Sequence, residues 1–135
     1  MTVTLDQPLE LPGGATLKNR LGKSAMSETL GTTDNRVTAK LTRLYRAWAK
    51  GGTGLSVTGN VMIDRRALGE PCNVVLEDRR DMDRLKAWAR AGRENGTHLW
   101  MQINHPGKQA PAALNRETVS PSAVPFSDPN LKRFF

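Results

Sequence analysis

The chain has 135 residues, of which 38% are hydrophobic, enough for the core of one domain, yet it holds no apolar run long enough to span a bilayer. Its single cysteine, Cys72, excludes an internal disulfide and a cysteine-built metal centre; with an N-terminus (Met1–Pro8) lacking both a basic start and an apolar stretch, it predicts a reducing, cytoplasmic setting. The net charge of +7 is spread from Lys18 to Arg133 instead of clustering among aromatics, and no zinc or helix-turn-helix spacing occurs, which argues against nucleic-acid binding.

In chain order, Leu9 and Leu11 alternate with polar neighbours around Pro12-Gly13-Gly14, so residues 8–18 predict a short hairpin. Arg20–Met26 reads as a first strand, weakened by Gly22, Lys23 and Ser24. A first helix follows. Asp34 is its expected N-cap, Val37, Leu41, Leu44 and Trp48 recur on one face, and Gly51-Gly52 ends it. Leu55–Ile63 is a second strand and its exit. A loop over Asp64–Asn73 leads to a second helix from near Asp78, with Met82, Leu85 and Ala89 at helical spacing, Trp88 beside them, and Asn95-Gly96 at its close. His98–Ile103 is a third strand. From Pro106 to Phe135 the Pro-, Ala-, Ser- and Asn-rich composition predicts a long loop.

The order strand, helix, strand, helix, strand calls for a parallel sheet with helical crossovers, an α/β fold. Arg46-Ala-Trp-Ala-Lys50 is echoed by Lys86-Ala-Trp-Ala-Arg90, and each helix is followed by Gly-Thr before a strand. The repeat unit is about forty residues, the size of one strand-plus-helix unit of a (β/α)₈ barrel. Two amphipathic helices can also match by chance.

Three segments carry a more specific pattern. Asn19-Arg-Leu-Gly-Lys-Ser-Ala-Met-Ser27 resembles the first barrel strand of the old yellow enzyme family, Gly51-Gly-Thr-Gly-Leu55 its second, and Gln102-Ile-Asn-His-Pro-Gly-Lys108 its third. Ser24–Glu28 is most similar to the bacterial ene-reductase and dienoyl-CoA-reductase-like branch. Two positions depart from the pattern: Lys108 stands where Arg is usual, keeping the charge but losing the planar fork, and Asn60 stands where a small residue is common.

The resemblance implies a partial (β/α)₈ TIM barrel comprising the first three strands and two helices. The whole of 1–135 would then be the N-terminal part of a flavin-binding barrel, with 106–135 a long loop region within it. It implies FMN as cofactor, NAD(P)H as reductant and an enone-type small-molecule substrate, whose activated C=C bond is reduced. Ala25, Met26, Ser27, Asn60 and Gln102 are the expected cofactor-binding residues. Gln102 is favoured because an amide offers both donor and acceptor to a flavin's pyrimidine edge, and because a buried amide between Met101 and Ile103 would need a partner. Ser27 could instead cap a loop, and Asn60 could simply hold the turn after its strand. Glu28 is expected on the substrate side, His105 in a structural role, and Trp48 and Trp88 against the sheet. No metal site is expected, and the catalytic residues of the family pattern would lie beyond residue 135.

A whole barrel takes about 250 residues. The expectation is therefore an FMN-dependent NAD(P)H oxidoreductase that is incomplete as this chain alone, its barrel completed by a second polypeptide or segment. The alternatives are a catalytically inactive truncated barrel serving as a binding or interaction module, and an unrelated basic domain on nucleic acid.

Overall fold

The computed structural model describes residues 2–135; Met1, where the reading of the N-terminus begins, lies outside the described residues. The expected hairpin is present as β1 (Leu9–Glu10) and β2 (Thr16–Leu17), antiparallel with Leu9 opposite Leu17. Its reversal is closed by Gly14, at φ 82°, a conformation that costs glycine little.

The first strand of the parallel sheet, β3, is only Gly22–Lys23. After it, Ser24–Leu30 has no regular structure, so Ala25, Met26 and Ser27 follow the strand instead of ending it. β4 (Leu55–Met62) is the centre of the sheet. Leu55 pairs with both Gly22 of β3 and His98 of β6 (His98–Asn104), so these two strands flank β4 on opposite edges, all parallel. Val61 pairs with both Val74 and Ile103, which places a short strand β5 (Val74–Val75) on the same edge as β3, further along. Two residues are too few for a period-2 pattern to register, and β5 falls in the stretch that sequence reads as the approach to a helix.

Helix α1 (Ala39–Lys50) is capped by Thr38, not by Asp34. The Thr38 hydroxyl accepts the Leu41 N–H (3.2 Å) and donates to the Leu30 carbonyl (2.6 Å), tying the helix start to the preceding loop. Asp34 is engaged earlier, accepting from the Thr32 hydroxyl and ion-paired with the Arg36 guanidinium, in a turn that holds Asn35 at φ 66°. The buried stripe is Val37, Leu41, Tyr45 and Ala49, while Leu44 and Trp48 sit at its border, half-buried. Helix α2 (Met82–Gly92) buries Trp88 and Ala91, whereas Ala89 is exposed: the bulky indole, not the small residue beside it, decides which face turns inward. Gly92 packs closely on β6: a Cβ there would lie 2.6 Å from a terminal methyl of Leu99, which would have to shift. Asn95 and Gly96, at φ 55° and 70°, end the helical segment as expected.

The core lies between the helices and one face of the sheet: Val37, Leu41, Tyr45, Val61, Val74 and Trp88, with Trp48, Leu85 and Leu99 packed around them. Tyr45 meets Trp48 and Trp88 edge-on, with ring centroids at 4.9 and 5.2 Å. Each such large side chain contributes about 1.5–3 kcal/mol on burial. Residues 106–135 follow a mostly irregular course, with a single 3₁₀ turn at Gly107–Gln109 and a short helix, α3 (Pro129–Phe134). The Pro-rich composition conceals α3, although its start has an Asp128 cap accepting the Asn130 N–H (2.7 Å) and a proline in the first turn.

Candidate active site

Parallel strands present their C-terminal ends together, and in an α/β fold that end is where ligands meet the chain. Here three segments converge: the irregular stretch after β3, the end of β4 and the end of β6. Asn60 is in register with Gln102, and Met62 with Asn104. The Asn104 amide donates to Asn60 Oδ1 (3.1 Å), and the Asn60 amide donates to Ser27 Oγ (3.3 Å). A chain of three polar side chains from three segments therefore runs across the sheet's end.

Alternation along β6 sorts its side chains. Leu99 packs against the helix-side core, so Met101 and Ile103 share its face, while Trp100, Gln102 and Asn104 share the other face with Asn60. That second face is open: Trp100 and Gln102 are exposed and Met26 is 49% exposed. The expectation that Gln102 is a buried amide in need of a partner is thus corrected. Its backbone N–H donates to Thr58 Oγ1 (2.9 Å), but its side chain projects freely from a face that no described residue covers.

The five expected residues lie at one end of the sheet, and Ser27 and Asn60 are in direct contact. Ala25 and Met26 contribute backbone, the Met26 carbonyl being pressed against Gly59. His105 accepts the Gly107 N–H on Nδ1 (3.1 Å), as a turn residue would. Asn104 belongs to the same group and escapes a reading centred on Gln102; its i+2 spacing from Gln102 is the signal that places it there.

Glu28 is not on the open side. Its side chain is 11% exposed and turned into the helix layer, where it accepts the Tyr45 hydroxyl and the Gly59 N–H (3.3 Å) and faces the Lys23 ammonium at 3.6 Å. Tyr45, four residues beyond Leu41 on the buried stripe, draws Glu28 inward by offering it a donor. Lys23, 10% exposed, also donates to the Val57 carbonyl (2.8 Å) and sits over the rings of Tyr45 and Trp48 at 5.0 and 4.5 Å. Burial pushes the Lys23 pKa down, opposed by Glu28, and burial pushes the Tyr45 phenol up, with Glu28 adding to the shift. No group of His, Cys, Asp and Glu suited to a metal occurs among the described residues, and none of their helices is long and apolar enough to cross a membrane.

Residues 4–132 match the model of the NADH:flavin oxidoreductase / NADH oxidase family, so the chain belongs to that family. It is 40% identical over 108 residues to an NADH-dependent flavin oxidoreductase of Hypocrea jecorina, covering 77% of this chain and 27% of the relative. Among solved structures, 2-naphthoyl-CoA reductase in complex with 2-naphthoyl-CoA superposes with a TM-score of 0.83 at 25% identity, covering 96% of this chain and 21% of that one. An old yellow enzyme homologue from Zymomonas mobilis gives a TM-score of 0.78 at 22% identity, over 90% of this chain and 34% of that one. The fold is therefore the opening part of an old yellow enzyme barrel, and the chain spans between about a fifth and a third of the length of these relatives.

Proposed function

We propose that this chain supplies one wall of an FMN site in an NAD(P)H-dependent oxidoreductase of the ene-reductase type. The observation that carries the reading is the hydrogen-bonded row Ser27–Asn60–Asn104, with Gln102 beside it, at the C-terminal ends of parallel strands. These residues fit a flavin's polar edge: a hydroxyl and three amides offer donors and acceptors in alternation, on an open face with no competing charge from Glu28 or Lys23. The irregular backbone of Ala25–Ser27, held against β4 outside any sheet ladder, adds main-chain groups to the same edge.

When bound, FMN would supply hydride transfer between NAD(P)H and the activated C=C bond of an α,β-unsaturated carbonyl compound. The role of this chain is to bind and orient. The Gln102 amide would satisfy paired donor and acceptor positions, the Ser27 hydroxyl would donate to a flavin carbonyl, and Asn60 would fix the direction of that hydroxyl by occupying its oxygen. The residues that orient substrate and deliver a proton are assigned to polypeptide outside residues 1–135, in a second chain or segment that completes the barrel.

The uncovered apolar side chains of β6 support such a partner. Ile103 is 67% and Met101 38% exposed on the helix side of the sheet, and Trp100 is 47% exposed on the other, so both faces of this strand await cover. A free-standing binding module would leave them in water. The test is titration of the assembled protein with FMN, followed by anaerobic NAD(P)H oxidation in the presence of an enone. The reading expects flavin uptake, enone-dependent turnover, and flavin binding about tenfold weaker in Gln102→Ala; unchanged affinity in that variant removes Gln102 from the site.

A further inference from the structure

The helix side of the sheet holds a buried charged group that the flavin face does not use, and its geometry is tied to a defect in β4. Between Val57 and Asn60 the ladder to β6 slips: three steps along β4 match two along β6, from Trp100 to Gln102. One residue too many is accommodated as a bulge, which frees backbone groups that need other partners. Thr58 Oγ1 takes the Gln102 N–H at 2.9 Å, and the Gly59 N–H is directed at the Tyr45 hydroxyl (3.0 Å) and Glu28 Oε1 (3.3 Å). The stretch after β3 closes on the bulge so tightly that a Cβ on Gly59 would lie 2.2 Å from the Met26 carbonyl oxygen and 2.3 Å from Glu28 Oε2.

We infer that Glu28 is a positioning residue: by gathering the Tyr45 hydroxyl, the Lys23 ammonium and the Gly59 N–H behind the sheet, it clamps the β3 exit onto the β4 bulge and so fixes Ser27 against Asn60 in front. Its consequence for cofactor binding rests on the flavin reading above. Charge is needed at this point for a chemical reason. Glu28 Oε1 accepts the Tyr45 hydroxyl and the Gly59 N–H and sits 3.6 Å from the Lys23 ammonium, whereas a glutamine in the same place would leave that buried cation without its counter-charge. A hydrophobic side chain would pack as well but would strand the Tyr45 hydroxyl proton and the Lys23 charge. Ser27 follows Met26 and precedes Glu28, so with the Met26 carbonyl against Gly59 and the Glu28 carboxylate fixed, its backbone is held beside Asn60, whose amide donates to its hydroxyl.

The decisive experiment is a double-mutant cycle on the assembled, flavin-loaded protein with Glu28→Gln, Ser27→Ala and both together, reading the flavin dissociation constant and visible spectrum. Hydrogen exchange across Val57–Val61 is followed in the same samples. The clamp predicts exchange at least tenfold faster in Glu28→Gln. It also predicts flavin binding about tenfold weaker in each single variant, with Glu28→Gln adding little on the Ser27→Ala background, because both act through one hydroxyl. Additive losses, or unchanged exchange at the bulge, would overturn it. Should Glu28→Gln fail to fold, Tyr45→Phe removes one donor and is read in the same way. If the wild-type protein takes up no flavin, the flavin reading fails, and bulge exchange in Glu28→Gln still decides the clamp.

Discussion

The two faces of the β4-centred sheet are built on opposite principles. Behind it, apolar side chains from α1, α2, β4 and β5 close over one another, and even the charges of Lys23 and Glu28 find partners within the chain. In front, Met26, Trp100 and Gln102 are exposed, and the polar groups bond to each other in a row without being enclosed. The helix face is closed by this chain over β4 and β5, with Met101 and Ile103 of β6 left uncovered, and the other face offers polar groups to something else. Stability therefore resides behind the sheet, and recognition in front.

That division can be broken by substitution. The largest effect is expected of Trp88→Ala, which empties the centre of the core and should cost about 3–5 kcal/mol in chemical denaturation; a loss below about 1 kcal/mol would mean that the indole does not hold the layer together. Gly59→Ala should cost about 2–3 kcal/mol, because the added carbon meets the Met26 carbonyl backbone, which has no easy way to yield. Thr38→Ala should cost about 1 kcal/mol and Asp34→Ala less than about 0.5, which separates the real cap of α1 from the expected one.

On the front face, Asn60→Ala and Asn104→Ala should leave the denaturation midpoint within about 0.5 kcal/mol of wild type while weakening flavin binding by about 1.4 kcal/mol, or tenfold. A large stability loss in either would show that the front face also carries the fold. The smallest effect concerns acid. Hydrogen bonds from the Arg66 and Arg80 side chains hold Asp64 and Asp78 at about 2, below the usual 3.8. Since the folded values are depressed, whatever stability these exposed pairs provide is intact above pH 3.8 and is lost as pH falls toward 2. Carboxyl NMR titration checks both midpoints.

Much of this arrangement was legible in the residues. The alternation of strand and helix, the hairpin and the turn at Asn95-Gly96 follow from spacing and glycine placement, and all survive in the fold. The motif segments around Ser27, Asn60 and Gln102 were placed at one end of the sheet only through a family likeness, because no local pattern says that residues 33 positions apart will touch. Three features went unread, and only α3 had a local signal, its Asp128-Pro129 start. Strand β5 is too short to have a period, and α3 is hidden in a Pro-rich stretch. The inward turn of Glu28 depends on Tyr45, whose hydroxyl makes an apolar-looking helix position the anchor of a polar network. Local periodicity finds what each element buries; it is silent on which distant donor a carboxylate will choose.

Strand β4 pairs with residues far on either side of it: Leu55 meets Gly22 and His98. Such parallel ladders can form only after long loops have closed, an entropic cost paid before any contact rewards it, so the sheet should assemble late and slowly compared with either helix. Until it does, Ser27, Asn60 and Asn104 belong to three unrelated stretches of chain. A nick within Leu55–Met62 would cut the one strand that every ladder of the parallel sheet shares, whereas one in the irregular Ser120–Pro125 stretch would touch none.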